Sequence, residues 1–456
     1  MPYSFCVVGG IVQLDFRGKK VTVVGLARSG VAAARALAAL GAEVTVTDRK
    51  PLDQLGPQLK ALGSGFVKVA AGGHPDRIFR NADLVVLSPG VPKIAPLAEA
   101  QRRGVKVISE LELGWLLSDS LFVGITGTNG KSTVTTLVGL MLERAGKQVL
   151  VAGNIGTALT DDPSGLRKKD WIVAEISSFQ LEDIDAFRPR VAAVLNVTQD
   201  HLDRYHGMDE YAGAKARIFM NQKKDDVLVL NADDPLVRAM AGLARSQVVL
   251  FSRLKNIPDG ICRQGDALLW KGERLISVDE IRIKGVHNIE NAMAAAALSI
   301  AAGADNGAVA AVLREFPGLE HRLELVREKD GVTFINDSKG TNVGAVIKSV
   351  EGFTRPVILI AGGLDKGSDF SPLHGLFKEK VKLLVLIGKA AGAMEEALGS
   401  ATETVVAKTL QEAVRLASTK AVSGDVVLLS PACASFDMFR DFEDRGKQFK
   451  DAVMKL

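Results

Sequence analysis

Gly124-Ile-Thr-Gly-Thr-Asn-Gly-Lys-Ser-Thr133 is the segment of this chain best equipped for chemistry. It follows an apolar run, Leu121 to Thr126, and opens a helical pattern from Lys131 to Ala145. Glycines at a strand-to-helix turn let backbone N–H groups curl around phosphate oxygens, and a helix N-terminus favours the anion. On this reading Gly127, Thr128, Asn129 and Gly130 form a cradle and Lys131 reaches the β- and γ-phosphates. Ser132 or Thr133 then holds Mg²⁺. The spacing departs from the strict phosphate-loop pattern: five residues separate Gly124 from Gly130, and two separate Gly127 from Gly130. The plainer alternative is a glycine-rich turn with a solvated lysine.

Further groups lie where ligands gather in α/β sheets, at the C-terminal ends of strands. Glu175 ends the apolar run Trp171 to Ala174, and His201 follows the run Val191 to Val197. A carboxylate there suits Mg²⁺, whereas a histidine alone reads as a hydrogen-bonded loop residue. Lys215, in a helical stretch, reads by itself as a solvated lysine. Asn288 and Asn291 are three apart and share a helix face, so both amides could meet a base edge. Asn288 could equally cap that helix. Near the N-terminus, Gly25-Leu-Ala-Arg-Ser-Gly30 is one residue off a dinucleotide fingerprint, with Asp48 ending the next strand. Taken alone, that imperfect pattern is a weak sign of a nicotinamide-dependent oxidoreductase.

The elements that must position these groups alternate between strand and helix. Val21–Gly25, Glu43–Asp48, Leu84–Gly90 and Lys106–Ser109 read as strands of a doubly wound set, with a helix over Ser29–Leu40. A second set starts at Leu121 and continues through Gln148–Ala152, Trp171–Ile176, Val191–Val197 and Asp226–Asn231. Residues 247–283 are expected to hold short antiparallel strands turning at Lys271-Gly272, followed by an alanine-rich helix over Asn288–Ala302. A third set opens near Gly318 with a hairpin at Asp330-Gly331 and continues through Pro356–Gly363, Val381–Gly388 and Asp425–Pro431. This predicts three α/β domains, over residues 1–109, 110–318 and 319–456.

Composition narrows the function classes. The 456 residues carry 57 Lys plus Arg against 53 Asp plus Glu, with no basic concentration, and only 5% aromatics, which argues against nucleic acid. Cys6, Cys262 and Cys433 are far apart, as in a reducing compartment. The N-terminus lacks the basic start of a secretory signal, and the longest apolar run, Ala292 to Ala304, is too short to cross a membrane. A cytoplasmic protein without membrane insertion is expected.

Gly127-Thr-Asn-Gly-Lys-Ser-Thr133 resembles the ATP loop of the Mur ligase superfamily. Further segments, in order, narrow the likeness: Ser88-Pro-Gly-Val-Pro92, Gly153-Asn-Ile-Gly156, Glu175-Ile-Ser-Ser-Phe-Gln-Leu181, Asn196-Val-Thr-Gln-Asp-His-Leu-Asp203, His287-Asn-Ile-Glu-Asn291, His321-Arg322, Asn336-Asp-Ser-Lys339 and Ser430-Pro-Ala-Cys-Ala-Ser-Phe-Asp437. Together they resemble the branch that adds D-glutamate to UDP-N-acetylmuramoyl-L-alanine. Residues 1–12 look like an extension. The resemblance implies a Rossmann-like first domain, a central P-loop ATPase-like domain and a Rossmann-like third domain, in a monomer.

It also implies roles. UDP of the muramoyl substrate would lie by Ser29, Gly30, Asp48, Arg49, Ser88, Pro89, Gly90 and Asn154. Two Mg²⁺ ions would be held by Ser132, Glu175, His201 and Lys215, the last as a carbamate. ATP would also meet Asn291 at adenine, Asp337 at ribose, and Arg322 and Lys339 at phosphate. D-glutamate would meet Thr341, Lys366, Ser435 and the Phe442 backbone. The plainer readings for that last set are a solvated Lys366, a helix-capping Thr341 and core phenylalanines at 436 and 442. Competing functions are another ligase of the superfamily (such as a folylpolyglutamate synthase), the oxidoreductase, and a P-loop switch.

Overall fold

A computed structural model of the chain describes residues 5–8, 11–63, 67–92, 94–201, 204–365 and 367–456. A short antiparallel pair, Phe5–Val8 with Ile11–Leu14, precedes three α/β units. The first has five parallel strands in the order Val67–Ala71, Glu43–Asp48, Lys20–Val24, Leu84–Leu87, Lys106–Ser109. Its central strand is buried from Val21 to Val24, as an inner parallel strand covered on both faces must be. Helix Arg28–Ala39 lays Val31, Ala33, Ala34 and Leu37 against it.

The second sheet has nine strands, and its order explains the site. Leu121–Thr126 lies between Trp171–Glu175 and Val191–Val194, all parallel. In register, Glu175 pairs with Ile125 and Val194 with Thr126, so the loops leaving these three strands start side by side. Helices Lys131–Arg144 and Val286–Ala301 pack on one face. Residues Ala292 to Leu298 are fully buried there, their small side chains letting the helix sit close. The expectation of only antiparallel strands over 247–283 needs correction. Gln247–Ser252 extends the parallel sheet, Ile261–Gln264 pairs parallel with it, and only Ala267–Trp270 and Glu273–Ser277 run antiparallel. The turn at Lys271-Gly272 forms as expected, both residues having positive φ.

The third sheet has six strands in the order Glu324–Lys329, Val332–Asn336, Val426–Leu429, Val357–Gly362, Val381–Ile387, Glu403–Val406. The first pair is antiparallel and turns at Asp330-Gly331; the rest are parallel. The edge strands Val67–Ala71 and Glu403–Val406 are half exposed and mixed in composition, so no buried run marked them in the sequence.

The first and second units share helix Glu110–Leu116. Leu113 packs in the first core and Leu111 in the second. Buried Glu112 accepts hydrogen bonds from the backbone N–H groups of Asp185, Ala186 and Phe187, at 2.9, 2.9 and 2.8 Å. Among the described residues no helix is long and apolar enough to cross a membrane.

Candidate functional site

The glycine loop leaves strand Leu121–Thr126 and ends at Gly130, which precedes helix Lys131–Arg144 with φ +84°. Two of its glycines are sterically required. A Cβ on Gly127 would come within 2.9 Å of Leu195 Cβ, and one on Gly130 within 2.3 Å of Asn291 Oδ1. Asn196, at the end of the neighbouring strand, holds the loop from outside. Its Oδ1 accepts from Asn129 N at 2.8 Å and its Nδ2 donates to Asn129 O at 3.0 Å, while its carbonyl accepts from Thr128 N at 2.9 Å. Asn196 is a site residue that the reading of the motifs does not single out; the sequence signal for it is an amide side chain interrupting the apolar run Val191 to Val197.

Two lysines converge on the loop. Lys131 Nζ donates to the carbonyls of Gly127 (2.9 Å) and Thr128 (2.8 Å), and Lys215 Nζ donates to the same Gly127 oxygen at 3.0 Å. Lys215 is not the solvated helix lysine its sequence context suggests: it is 1% exposed, with its ammonium 4.2 Å from the centre of the Tyr211 ring. Burial, reinforced by Lys131, pushes its pKa well below that of an ordinary lysine, and Asp200 opposes this.

Glu175 is buried, and Oε1 accepts from Asn154 Nδ2 at 2.6 Å, while Oε2 has no hydrogen-bond partner. Asn154, assigned above to the UDP substrate, thus contacts the metal candidate directly. His201 adopts φ +56°, and its ring packs 4.8 Å from Phe179 and 6.3 Å from Tyr211. Its Nε2 lies 3.8 Å from Asp200 Oδ2.

A cavity of about 340 Å³ opens between the loop and the third unit. Asn129, Gly130 and Thr133 line one side, Asn288 and Asn291 another, and Arg322, Asp337 and Lys339 the third. Asn291 Nδ2 donates to Asn288 Oδ1 at 3.1 Å, so the two amides share a face. The capping role for Asn288 is not observed: Gly285 precedes the first turn, and Asn288 Nδ2 donates back to Lys284 O. Arg322 reaches across to Ser132 Oγ at 2.8 Å. Lys339 stacks over Phe442 at 3.6 Å, and burial, with Arg322 nearby, lowers its pKa to about 8.

Asp337 is buried, accepting from Ser430 Oγ (2.7 Å), Ser349 Oγ (2.8 Å) and Leu323 N (3.3 Å). Burial raises its pKa from 3.8 to about 6 against those hydrogen bonds. A group protonated more readily in the folded state stabilises the fold below its unfolded pKa. That contribution is lost as pH rises through about 6. Asp337→Asn is therefore expected to stabilise the fold at pH 7.5 by up to roughly 3 kcal/mol, raising the thermal midpoint, and to change it little at pH 4. Melting curves at the two pH values check this, and an equal shift at both would contradict it.

The loops proposed for the amino acid gather at one sheet edge. Ala432 N donates to Gly340 O at 2.9 Å, and Leu364 and Ala434 exchange two backbone hydrogen bonds. Ser435 is buried, and the Phe442 carbonyl accepts from Ser338 Oγ at 2.8 Å. Fully buried Arg445 ties this edge together through Ser338 O, Ser338 Oγ and Cys433 O. Thr341 does not cap the following helix; Asn342 does, and its Nδ2 also donates to Asp200 and Asn129. Phe436 is 68% exposed and is not a core residue. Lys366 lies outside the described residues.

In the first unit, Gly30 fits tightly: a Cβ there would lie 1.8 Å from Gly25 O. Ser88 Oγ donates to that same carbonyl at 2.8 Å. Asp48 turns inward, accepting from Leu26 N at 2.7 Å and Lys50 N at 2.9 Å, which braces the turn. Arg49 is exposed, and Pro89 and Gly90 form the turn after strand Leu84–Leu87.

These features accompany a close likeness to known proteins. Residues 19–109 match the Mur ligase MurD-like N-terminal domain, 125–299 the Mur ligase middle domain, and 321–433 the Mur ligase glutamate ligase domain. The chain is 50% identical to the UDP-N-acetylmuramoylalanine–D-glutamate ligase of Geotalea uraniireducens, over 97% of this chain and 99% of that protein. It is 46% identical to the protein of the same name from Pelotomaculum thermopropionicum, again over 97% and 99%. Among solved structures, a UDP-N-acetylmuramate–alanine ligase from Thermotoga maritima superposes with TM-score 0.62 at 19% identity, covering 96% of this chain and 99% of that one. That likeness speaks for the fold.

Proposed function

The chain belongs to the Mur ligase family, on the branch of the UDP-N-acetylmuramoylalanine–D-glutamate ligases, and from that premise we propose how its residues share the work. It is an ATP-dependent ligase that adds D-glutamate to UDP-N-acetylmuramoyl-L-alanine in peptidoglycan precursor synthesis. The reaction takes place in the cytoplasm. Residues 1–109 bind the UDP substrate, 110–318 the nucleotide, and 319–456 the amino acid.

Amide formation from a carboxylate requires a better leaving group than oxide. Transfer of the γ-phosphoryl group to the L-alanyl carboxylate gives an acyl phosphate and ADP. The neutral amine of D-glutamate then attacks the carbonyl carbon and expels phosphate. Phosphoryl transfer depends on positioning and charge neutralisation. Lys131 supplies positive charge from the phosphate loop, and Arg322 and Lys339 supply it from the facing third unit, while Asn291 reads adenine and Asp337 accepts from ribose. The observation that carries this assignment is the Arg322–Ser132 hydrogen bond, which joins the third unit to the phosphate loop.

The donor set fits Mg²⁺. Glu175 presents a buried carboxylate oxygen with no hydrogen-bond partner, the hard donor Mg²⁺ takes, to which Ser132 would add a hydroxyl oxygen and His201 a ring nitrogen. Bound there, Mg²⁺ would neutralise the β- and γ-phosphate oxygens. Lys215 as an ammonium has no lone pair to offer a cation, but its depressed pKa favours the neutral form that reacts with CO₂ to give an oxygen-bearing carbamate. We assign the second ion to that carbamate and His201. Thr341, Lys366, Ser435 and the Phe442 backbone hold the carboxylates of D-glutamate.

The oxidoreductase alternative loses its ribose-binding acid, since Asp48 is committed to Leu26 and Lys50. The test is ADP and phosphate release with UDP-N-acetylmuramoyl-L-alanine and a panel of D- and L-amino acids. Release with D-glutamate alone is expected; preference for a dibasic amino acid would overturn the assignment.

A further inference from the structure

Beside the shared helix Glu110–Leu116 and the Lys106–Asp185 pair, two arginines join the first unit to the second, and each of these contacts ends beside one of the metal candidates. Arg28 is the first residue of a 12-residue helix whose first turn carries Ser29 and Gly30, the residues assigned above to the UDP substrate. Its guanidinium leaves its own unit and donates to three backbone carbonyls of the next: Gly156 (2.6 Å), Gly153 (3.2 Å) and Asn154 (3.3 Å). That short loop is tied in turn to Glu175. Asn154 N donates to Glu175 O at 2.9 Å, and Asn154 Nδ2 donates to Glu175 Oε1 at 2.6 Å. The loop has no slack at its start, since a Cβ on Gly153 would lie 2.5 Å from Glu175 O.

The second contact runs in the opposite direction. Arg204 NH1 donates to Val91 O at 3.4 Å, directly after the Ser88-Pro-Gly turn of the first unit. Its other nitrogens form a two-point pair with Glu182, at 3.1 and 2.6 Å, and it stacks 4.5 Å from the Phe179 ring centre. Arg204 N donates to His201 O at 3.0 Å. Thus two of the three first-unit loops assigned to the UDP substrate, those of Ser29-Gly30 and Ser88–Gly90, are each wired to the loop of one metal candidate.

We propose that Arg28 is a positioning residue: it couples occupation of the first unit's diphosphate region to the orientation of Asn154 and Glu175, with Arg204 as the companion contact. The chemistry suits this. A guanidinium forks rigidly to several acceptors, so a shift of the helix that carries it moves the carbonyls it holds. A diphosphate settling on N–H groups at that helix N-terminus fixes the helix, and therefore fixes the loop that aims Glu175. The proposal rests on the ligase reading above.

The test measures binding rather than turnover. A non-hydrolysable ATP analogue with Mg²⁺ is titrated into the full-length protein, with and without saturating UDP-N-acetylmuramoyl-L-alanine. In the wild type the UDP substrate should tighten the analogue by about fivefold or more, the usual scale of coupling between sites. In Arg28→Ala that factor should fall towards about one, with Arg28→Lys intermediate. Hydrogen exchange should show the Asn154 amide protected by the UDP substrate in the wild type and not in Arg28→Ala. Coupling preserved in Arg28→Ala overturns the proposal. So does a variant that loses only UDP-substrate affinity, which would make Arg28 a direct ligand. If Arg28→Ala does not fold, the Arg28→Lys variant decides by the same two readouts. A wild type that fails to bind the UDP substrate overturns the ligase reading itself, which separates the two failures.

Discussion

Lys131→Ala is expected to lower kcat by on the order of 10³-fold or more, the scale lost with a preorganised charge at a developing anion. Lys131 rises from the first turn of its helix and folds over the loop, donating to the Gly127 and Thr128 carbonyls. A nucleotide in the cradle offers phosphate oxygens in their place, and an ammonium gains far more from an anion than from neutral carbonyls. The lost interaction strengthens as charge moves during transfer, so kcat falls as well as kcat/KM. The fold should survive, because the loop is held independently by Asn196. Steady-state ADP release and a melting curve check both halves. Near-normal turnover would remove this loop from the reaction.

The second large effect is at Lys215. Lys215→Met keeps the length of the side chain and removes the amine. Burying a polar lysine beside a second lysine burdens the fold, so the variant should melt no lower than the wild type. Activity should nonetheless fall by at least about 10²-fold, as for loss of a preorganised electrostatic group. Stability and activity therefore move apart, which an ordinary core lysine would not produce. A companion measurement addresses the carbamate: wild-type activity should decline in CO₂-free buffer and return with bicarbonate, whereas the Met variant responds to neither. Retained activity in Lys215→Met, or indifference of the wild type to CO₂, would sink the carbamate assignment.

Much of this site could be read from the chain because local patterns encode local structure. The strand and helix around Lys131 announce themselves by an apolar run, glycines and a basic first turn, all within a few residues of one another. Glu175 and His201 were found by the same logic, each following an apolar strand. The Asp330-Gly331 and Lys271-Gly272 turns are encoded by residues that tolerate positive φ.

What the sequence could not determine is which distant segments become neighbours. Lys215 reads as a surface lysine because helix Met208–Ala216 has no apolar stripe; only packing against the phosphate loop buries it. The Arg322–Ser132 contact spans 190 positions, and the Arg28 contacts span 125 to 128, beyond any periodicity. Asn342 and Asn196 became site residues through partners contributed by other strands. Composition and spacing fix which groups each loop can offer, whereas strand order and the docking of three sheets decide which groups meet, because burial and hydrogen-bond geometry are properties of the assembled chain.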